Sequence, residues 1–159
     1  MTTTMKYRKY REQRQKEYND LPVFYAFSNE QFEREMAKRG LTINDTDKIY
    51  KLGSTGGFYL KSDADTIRAF FNKPDLLPEL MEDKAFAESA FRYEMGNHEY
   101  HINWEGDYDV CSCFGSCEYS EGKSYREYLR EMGYSQVVVE AFRTAKKKFL
   151  NECEENDWY

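Results

Sequence analysis

The chain has 159 residues, enough for one hydrophobic core, and 14 Tyr, 11 Phe and 2 Trp supply much of its 40% apolar share. Only 3 Pro and 9 Gly argue against a linker-rich or disordered chain, and no apolar run approaches the roughly 20 residues that span a bilayer. The net charge of −6 is unevenly spread: residues 1–21 carry a net of +3, whereas residues 75–121 hold twelve carboxylates against Lys84 and Arg92, a net of −10. Such a block repels nucleic acid and suits a basic protein partner, or else serves as a solvated acidic surface.

Residues 1–20 are read as an N-terminal amphipathic helix, centred on "TMKYRKYREQRQKEYN" (4–19), with Tyr7, Tyr10, Arg14 and Tyr18 along one stripe. The segment has basic residues but lacks the apolar stretch of a secretory signal. The expectation is a cytoplasmic protein whose cysteines stay reduced.

"LPVFYAF" (21–27) has strand character and ends at Ser28, where "SNEQ" matches a capping box opening the helix "NEQFEREMAKRG". Gly40 suits the position just past that helix. Strands follow at Lys48–Leu52 and Phe58–Lys61, joined by a turn containing Gly53, Gly56 and Gly57. "GSTGG" lacks the spacing and the Lys-Ser/Thr of a phosphate loop, so it is read as a hairpin turn.

Ser62 is expected to cap "DADTIRAFFN", which Pro74 ends. After Pro78, "ELMEDKAFAESAFRYEM" reads as one helix closed by Gly96.

The stretch "NHEYHINWEGDYDVCSCFGSC" (97–117) then shows alternate-residue patterning and is expected to form a hairpin over 98–114. A three-residue loop Glu105-Gly106-Asp107 would pair Trp104 with Tyr108 and Ile102 with Val110. That register brings His101 opposite Cys111 and Glu99 opposite Cys113, turns His98 to the other face, and lets Cys117 fold back.

His101, Cys111, Cys113 and Cys117 are thus a candidate zinc set, since imidazole and thiolates in tetrahedral array are what Zn²⁺ takes. The preferred reading is that these are reduced thiols beside a satisfied histidine, with no cofactor. A His101–Cys111 nucleophilic pair is geometrically conceivable, but no oxyanion donor is identifiable, so the chain is read as a non-enzyme. At the hairpin tip Glu105, Asp107 and Asp109 would project beside Tyr108 and Trp104 as a partner-binding patch.

A C-terminal helical pair spans 124–156, "SYREYLREM" (124–132) and a long helix (135–156) opened by Ser135. The whole is expected to be α+β: a single domain over 1–159, with a small antiparallel sheet of hairpins packed against several helices.

The segments "VFYAFSNEQFE", "KIYKLGSTGGFYLKSD" and "YEMGNHEYHINWEGDYDVCSCFG" resemble an uncharacterised family of small proteins carried by phages, plasmids and other mobile elements of gut-type bacteria. The resemblance runs from about Leu21 to Gly115 and carries no catalytic residue with it. It implies a cytoplasmic accessory protein of the host cell that binds a basic host protein, an inhibitor of host defence of anti-CRISPR or nucleic-acid-mimic type. Direct nucleic-acid and membrane binding are not expected. The alternative is a zinc-stabilised or redox-sensitive module, or a small Cys/His enzyme, built around His101 and Cys111, Cys113 and Cys117.

Overall fold

Helix α1 (Met5–Asn19) forms over fifteen residues free of Gly and Pro. The computed structural model describes residues 5–74, 76 and 78–159, with only the backbone of Met5. Residues 1–4 of the expected N-terminal helix and Asp75 of the acidic block lie outside the described residues. The chain forms two compact units, one from residues up to Arg14 and after Pro74, the other from residues 15–74.

The 15–74 unit is a small sheet with two helices. Strand β1 (Phe24–Tyr25) and strand β2 (Ile49–Leu52) flank β3 (Gly57–Leu60) in an antiparallel sheet of order β1-β3-β2. The register sets Phe24 opposite Phe58 and Ile49 opposite Leu60. Helix α2 (Asn29–Lys38) starts as expected: Ser28 Oγ accepts from Gln31 N at 3.2 Å. In the return bond it is Phe27 N, rather than Ser28 N, that donates to Gln31 Oε1. Phe24, Met36 and Ile49 form the buried centre, with the Arg39 guanidinium 3.9 Å above the Phe24 ring.

Ser62 does not cap the next helix. Lys61–Asp63 makes a 3₁₀ turn, and helix α3 (Ala64–Asn72) begins only after Asp63.

The other unit is helical. The expected single helix after Pro78 is broken: α4 (Pro78–Met81) is followed by α5 (Lys84–Asn97), because Asp83 turns its carboxylate onto Phe86 N at 2.9 Å and starts a new helix. Helix α6 (Gly106–Cys111), helix α7 (Tyr125–Glu131) and the long helix α8 (Gln136–Asn156) complete it. Ser135 opens α8, but its hydroxyl bonds the Glu82 carboxylate instead of its own helix. The core lies between α5 and α8, where Phe91 and Phe142 meet edge to face at 4.9 Å and Tyr125 stacks on Phe142 at 4.3 Å.

The α+β class, the small antiparallel sheet and the long C-terminal helix are those expected. The hairpin over 98–114 is not there. Residues 98–102 and 104–105 are turns, Gly106–Cys111 is α-helical and Ser112–Phe114 is 3₁₀.

Two local devices account for this. The α5 end closes in a Schellman motif, with Tyr100 N on Met95 O at 3.0 Å and Glu99 N on Gly96 O at 3.3 Å, which forces Glu99 to φ +48°. Asn103 then accepts from Glu105 N at 2.9 Å, the turn that launches α6. Gly106 is needed there for close approach, since a Cβ would stand 2.7 Å from the Tyr100 ring.

Phe142→Ala removes a fully buried ring and should cost about 3–5 kcal/mol in denaturant unfolding. Glu99→Gly should raise stability by up to about 1 kcal/mol, because the left-handed strain of a non-glycine residue outweighs glycine's extra unfolded-state entropy.

Candidate functional site

The candidate patch at Trp104, Glu105, Asp107, Tyr108 and Asp109 divides into an outer and an inner part. Trp104 is fully exposed, and Ile102 and Glu105 beside it are exposed too. Asp107 is turned inward: Oδ1 accepts from Tyr100 Oη at 2.5 Å and Oδ2 from Tyr125 N at 3.0 Å. Asp109 accepts from Asn103 Nδ2 at 2.8 Å. Tyr108 is half-buried, meeting Tyr119 at 5.3 Å and Tyr128 at 5.6 Å edge to face. Asp107 and Asp109 therefore brace the loop, and Trp104 and Glu105 are presented by it.

Beside Trp104 opens a groove of about 480 Å³, lined among others by Glu105, Tyr108, Tyr119, Lys123 and Lys146. Lys123 is tied to Glu131 at 2.6 Å, and Lys146 sits over the Tyr100 and Tyr125 rings. Exposed Glu118 and Glu121 adjoin Tyr119, whose hydroxyl pKa is raised by desolvation and then by the charges of Glu105 and Glu121. The groove is aromatic, with Glu105 and Asp107 set against Lys123 and Lys146 in its lining.

The candidate metal set is not assembled as the hairpin register required. His101 Nε2 lies 3.0 Å from the Trp158 carbonyl, which fixes the proton on Nε2, and its Nδ1 is buried without a partner. Its ring packs edge to face on Phe149 and Tyr159. His101 thus clasps the C-terminal residues. Cys111 and Cys153 are buried in the core, Cys117 is half-buried, and all four thiols are free. Burial pushes the Cys111 thiol pKa well up, with the Asp107 charge adding to it.

Cys113 instead meets His98, the histidine expected on the other face. Its Sγ lies 3.4 Å from His98 Nε2, and the same Nε2 is 3.5 Å from Glu94 Oε2. Glu94, His98 and Cys113 place one donor atom each within 4.8 Å of one another.

Helix α5 supplies Glu94 and His98 one turn apart, and the 3₁₀ turn after α6 supplies Cys113. Glu94 is 3% exposed, and its Oε1 accepts from Tyr7 Oη at 3.0 Å and Arg11 Nη1 at 3.1 Å. Cys113 is exposed as a residue, but its Sγ is turned inward, where burial and the Glu94 charge push the thiol pKa up to about 12. That is the reverse of what a nucleophilic cysteine needs. Both His98 contacts also fall on one nitrogen, so the imidazole is not oriented between base and nucleophile.

The E-x-x-x-H spacing across the end of α5 is the signal for this cluster, and closing the expected helix at Gly96 leaves His98 in the expected hairpin instead.

The chain belongs to a family of unknown function, DUF7659, whose family model matches residues 6–119. No curated protein and no solved structure matches it. The matched span contains Tyr7, Arg11, Glu94, His98, Cys113 and the Trp104 loop, and stops before α7 and α8. Among the described residues no helix is long and apolar enough to cross a membrane.

Asp107→Asn should cost about 1–3 kcal/mol, since it weakens a charge-assisted hydrogen bond inside the loop that Tyr100 and Tyr125 share. Reversing Glu105, Asp107 and Asp109 together to lysine should unfold the loop, so that variant cannot report on docking.

The Tyr100 hydroxyl is raised above its ordinary value of 10.0 by burial and then by Asp107. The folded state keeps that proton where the unfolded chain loses it. This contribution is complete below about pH 10 and is lost as pH rises above it. Unfolding curves of Tyr100→Phe should accordingly fall less steeply in alkali than those of the wild type, from a lower neutral value.

Proposed function

We propose that this protein is a phage or mobile-element accessory protein that works by binding a basic host protein. Trp104 and Glu105 are its principal contact residues. The observation that carries the reading is the fully exposed Trp104, held out by a loop that Asn103 braces through bonds to the His98 carbonyl, the Asp109 carboxylate and Glu105 N. A large aromatic anchor on a rigid support loses little entropy on docking, and such anchors dominate interface energies.

Exposed Glu99, Glu105, Glu118 and Glu121 lie around or near it in sequence, in the 75–121 stretch whose only Lys and Arg are Lys84 and Arg92. Lys123 at the groove is held by Glu131, and Lys146 lies over the Tyr100 and Tyr125 rings. Carboxylates there speed encounter with a cationic surface and disfavour an anionic one. The resemblance to mobile-element proteins supports a host target, and the exposed carboxylates near Trp104 support one that ordinarily handles nucleic acid. On this reading the protein is cytoplasmic in the host and inhibits a defence or nucleic-acid-processing machine by occupying its cationic site.

Tagged wild type and Trp104→Ala should be compared in capture from host extract at low and high salt. The expected result is a basic protein retained by wild type, released by salt, with affinity lowered about thirtyfold or more by Trp104→Ala. Equal retention by the folded variant would defeat the reading. So would specific retention of bare DNA by the wild type.

A further inference from the structure

We propose that Glu94, His98 and Cys113 form a zinc site. The site is separate from the Trp104 surface and differs from the His101-Cys111-Cys113-Cys117 set read from the sequence.

Three features carry the assignment. The first is the donor set: one carboxylate oxygen, one imidazole nitrogen and one sulfur, the combination Zn²⁺ takes in preference to the harder Mg²⁺ or Ca²⁺.

The second is spacing. Ligand bonds of about 2.0–2.3 Å at tetrahedral angles place neighbouring donors about 3.4–3.6 Å apart. The Sγ–Nε2 separation is 3.4 Å and the Nε2–Oε2 separation 3.5 Å, with all three atoms inside 4.8 Å. Two edges of a ligand-tetrahedron face are therefore at ligand spacing, and the third, Sγ to Oε2, lies within 4.8 Å.

The third is what lies behind it. Tyr7 Oη and Arg11 Nη1 both bind Oε1 of Glu94, which orients the carboxylate and leaves Oε2 turned towards His98. Outer partners of this kind position metal ligands and are commonly hydrogen-bonded to the distal carboxylate oxygen. Asn97 Nδ2 approaches Oε2 at only 3.3 Å and can be displaced.

His98 is partly exposed and opens the site to solvent; Cys113 Sγ, turned inward onto the Asp109 carbonyl at 3.3 Å, gives up that contact to the ion, and water completes the fourth position. Binding would cost one proton, released from the Cys113 thiol to bulk water as the zinc–sulfur bond forms. Arg11 balances the Glu94 charge when the metal is absent, which lets the fold stand without it.

The test uses the full chain, reduced and stripped with chelator, then titrated with Co²⁺ as a spectroscopic stand-in for Zn²⁺. One equivalent should give a thiolate-to-cobalt charge-transfer band and four-coordinate visible bands, bleached by added Zn²⁺. Zn²⁺ should also raise the melting temperature. Cys113→Ser should abolish the charge-transfer band, and His98→Gln should weaken binding at least tenfold. Both positions are at the surface, so unchanged circular dichroism of the metal-free variants would show that they fold. Cys117→Ser, His101→Gln and Trp104→Ala should bind as the wild type does, the last keeping this site distinguishable from the docking surface. Absence of a thiolate band in the wild type, or a band that survives Cys113→Ser or is lost in Cys117→Ser, would overturn the assignment.

Discussion

The arrangement of the helical unit depends on a buried negative charge. A carboxylate at 3% exposure must be met by a cation and hydrogen-bond donors, and Glu94 draws both from one helix turn of α1. Tyr7 and Arg11, four residues apart, converge on the same oxygen. Tyr7 also donates its backbone N–H to the buried Ser89 Oγ at 3.1 Å and packs on Phe86, Tyr93 and Phe114. A shift of the first half of α1 by one residue would carry both partners away and strand the charge. This requirement specifies register more than it adds stability, because desolvating the pair consumes much of the Coulomb gain.

The same principle divides the acidic block. Taken from the sequence, its net of −10 suggests one continuous negative surface. In the fold, Glu82 holds Ser135, Asp83 starts α5, Glu88 faces Lys148, Glu94 faces Arg11, and Asp107 and Asp109 brace their loop. The outward field comes from a smaller group that includes Glu99, Glu105, Glu118 and Glu121. Inward carboxylates give the loop its shape, and the shape holds Trp104 in solvent. Sequence charge alone cannot separate these two roles, since both use the same residue types.

Where local chemistry decides structure, the sequence was readable. Ser28, Gly40 and the Gly53–Gly57 turn act by satisfying or freeing the backbone beside them, and α2 and the β2–β3 pair follow with small boundary shifts. The 98–114 segment failed because short apolar runs fit two periods at once. Tyr100, Ile102, Trp104, Tyr108 and Val110 alternate, but Gly106, Val110, Cys111 and Phe114, the residues buried there, follow helical spacing. The competing signals were the Asn103 turn and the two aspartates in the first turn of α6, where a helix dipole favours them. Glu99 hid the α5 terminus, because glycine usually marks that conformation. Once 98–105 is a turn and 106–114 is helical, His98 leaves the far face and meets Cys113, while His101 turns to the C-terminal residues. The error in the candidate metal set was therefore inherited from one wrong period.

The extent of the family match raises a physical question that packing answers. Residues 6–119 contain the whole Glu94 cluster and the Trp104 loop, but not the surface that covers α5. Phe91, Ala87, Ala90 and Met95 are fully buried, in a core to which α8 adds Val138, Phe142, Ala145 and Phe149. Without those side chains the α5 face would be a contiguous apolar stripe in water, and burial is the main force that orders it. The matched segment can carry binding chemistry, while the core against its α5 is completed by side chains that lie beyond it. Residues 124–156 act as its cover, and His101 bonding the Trp158 carbonyl joins the end of that cover to the loop that displays Trp104.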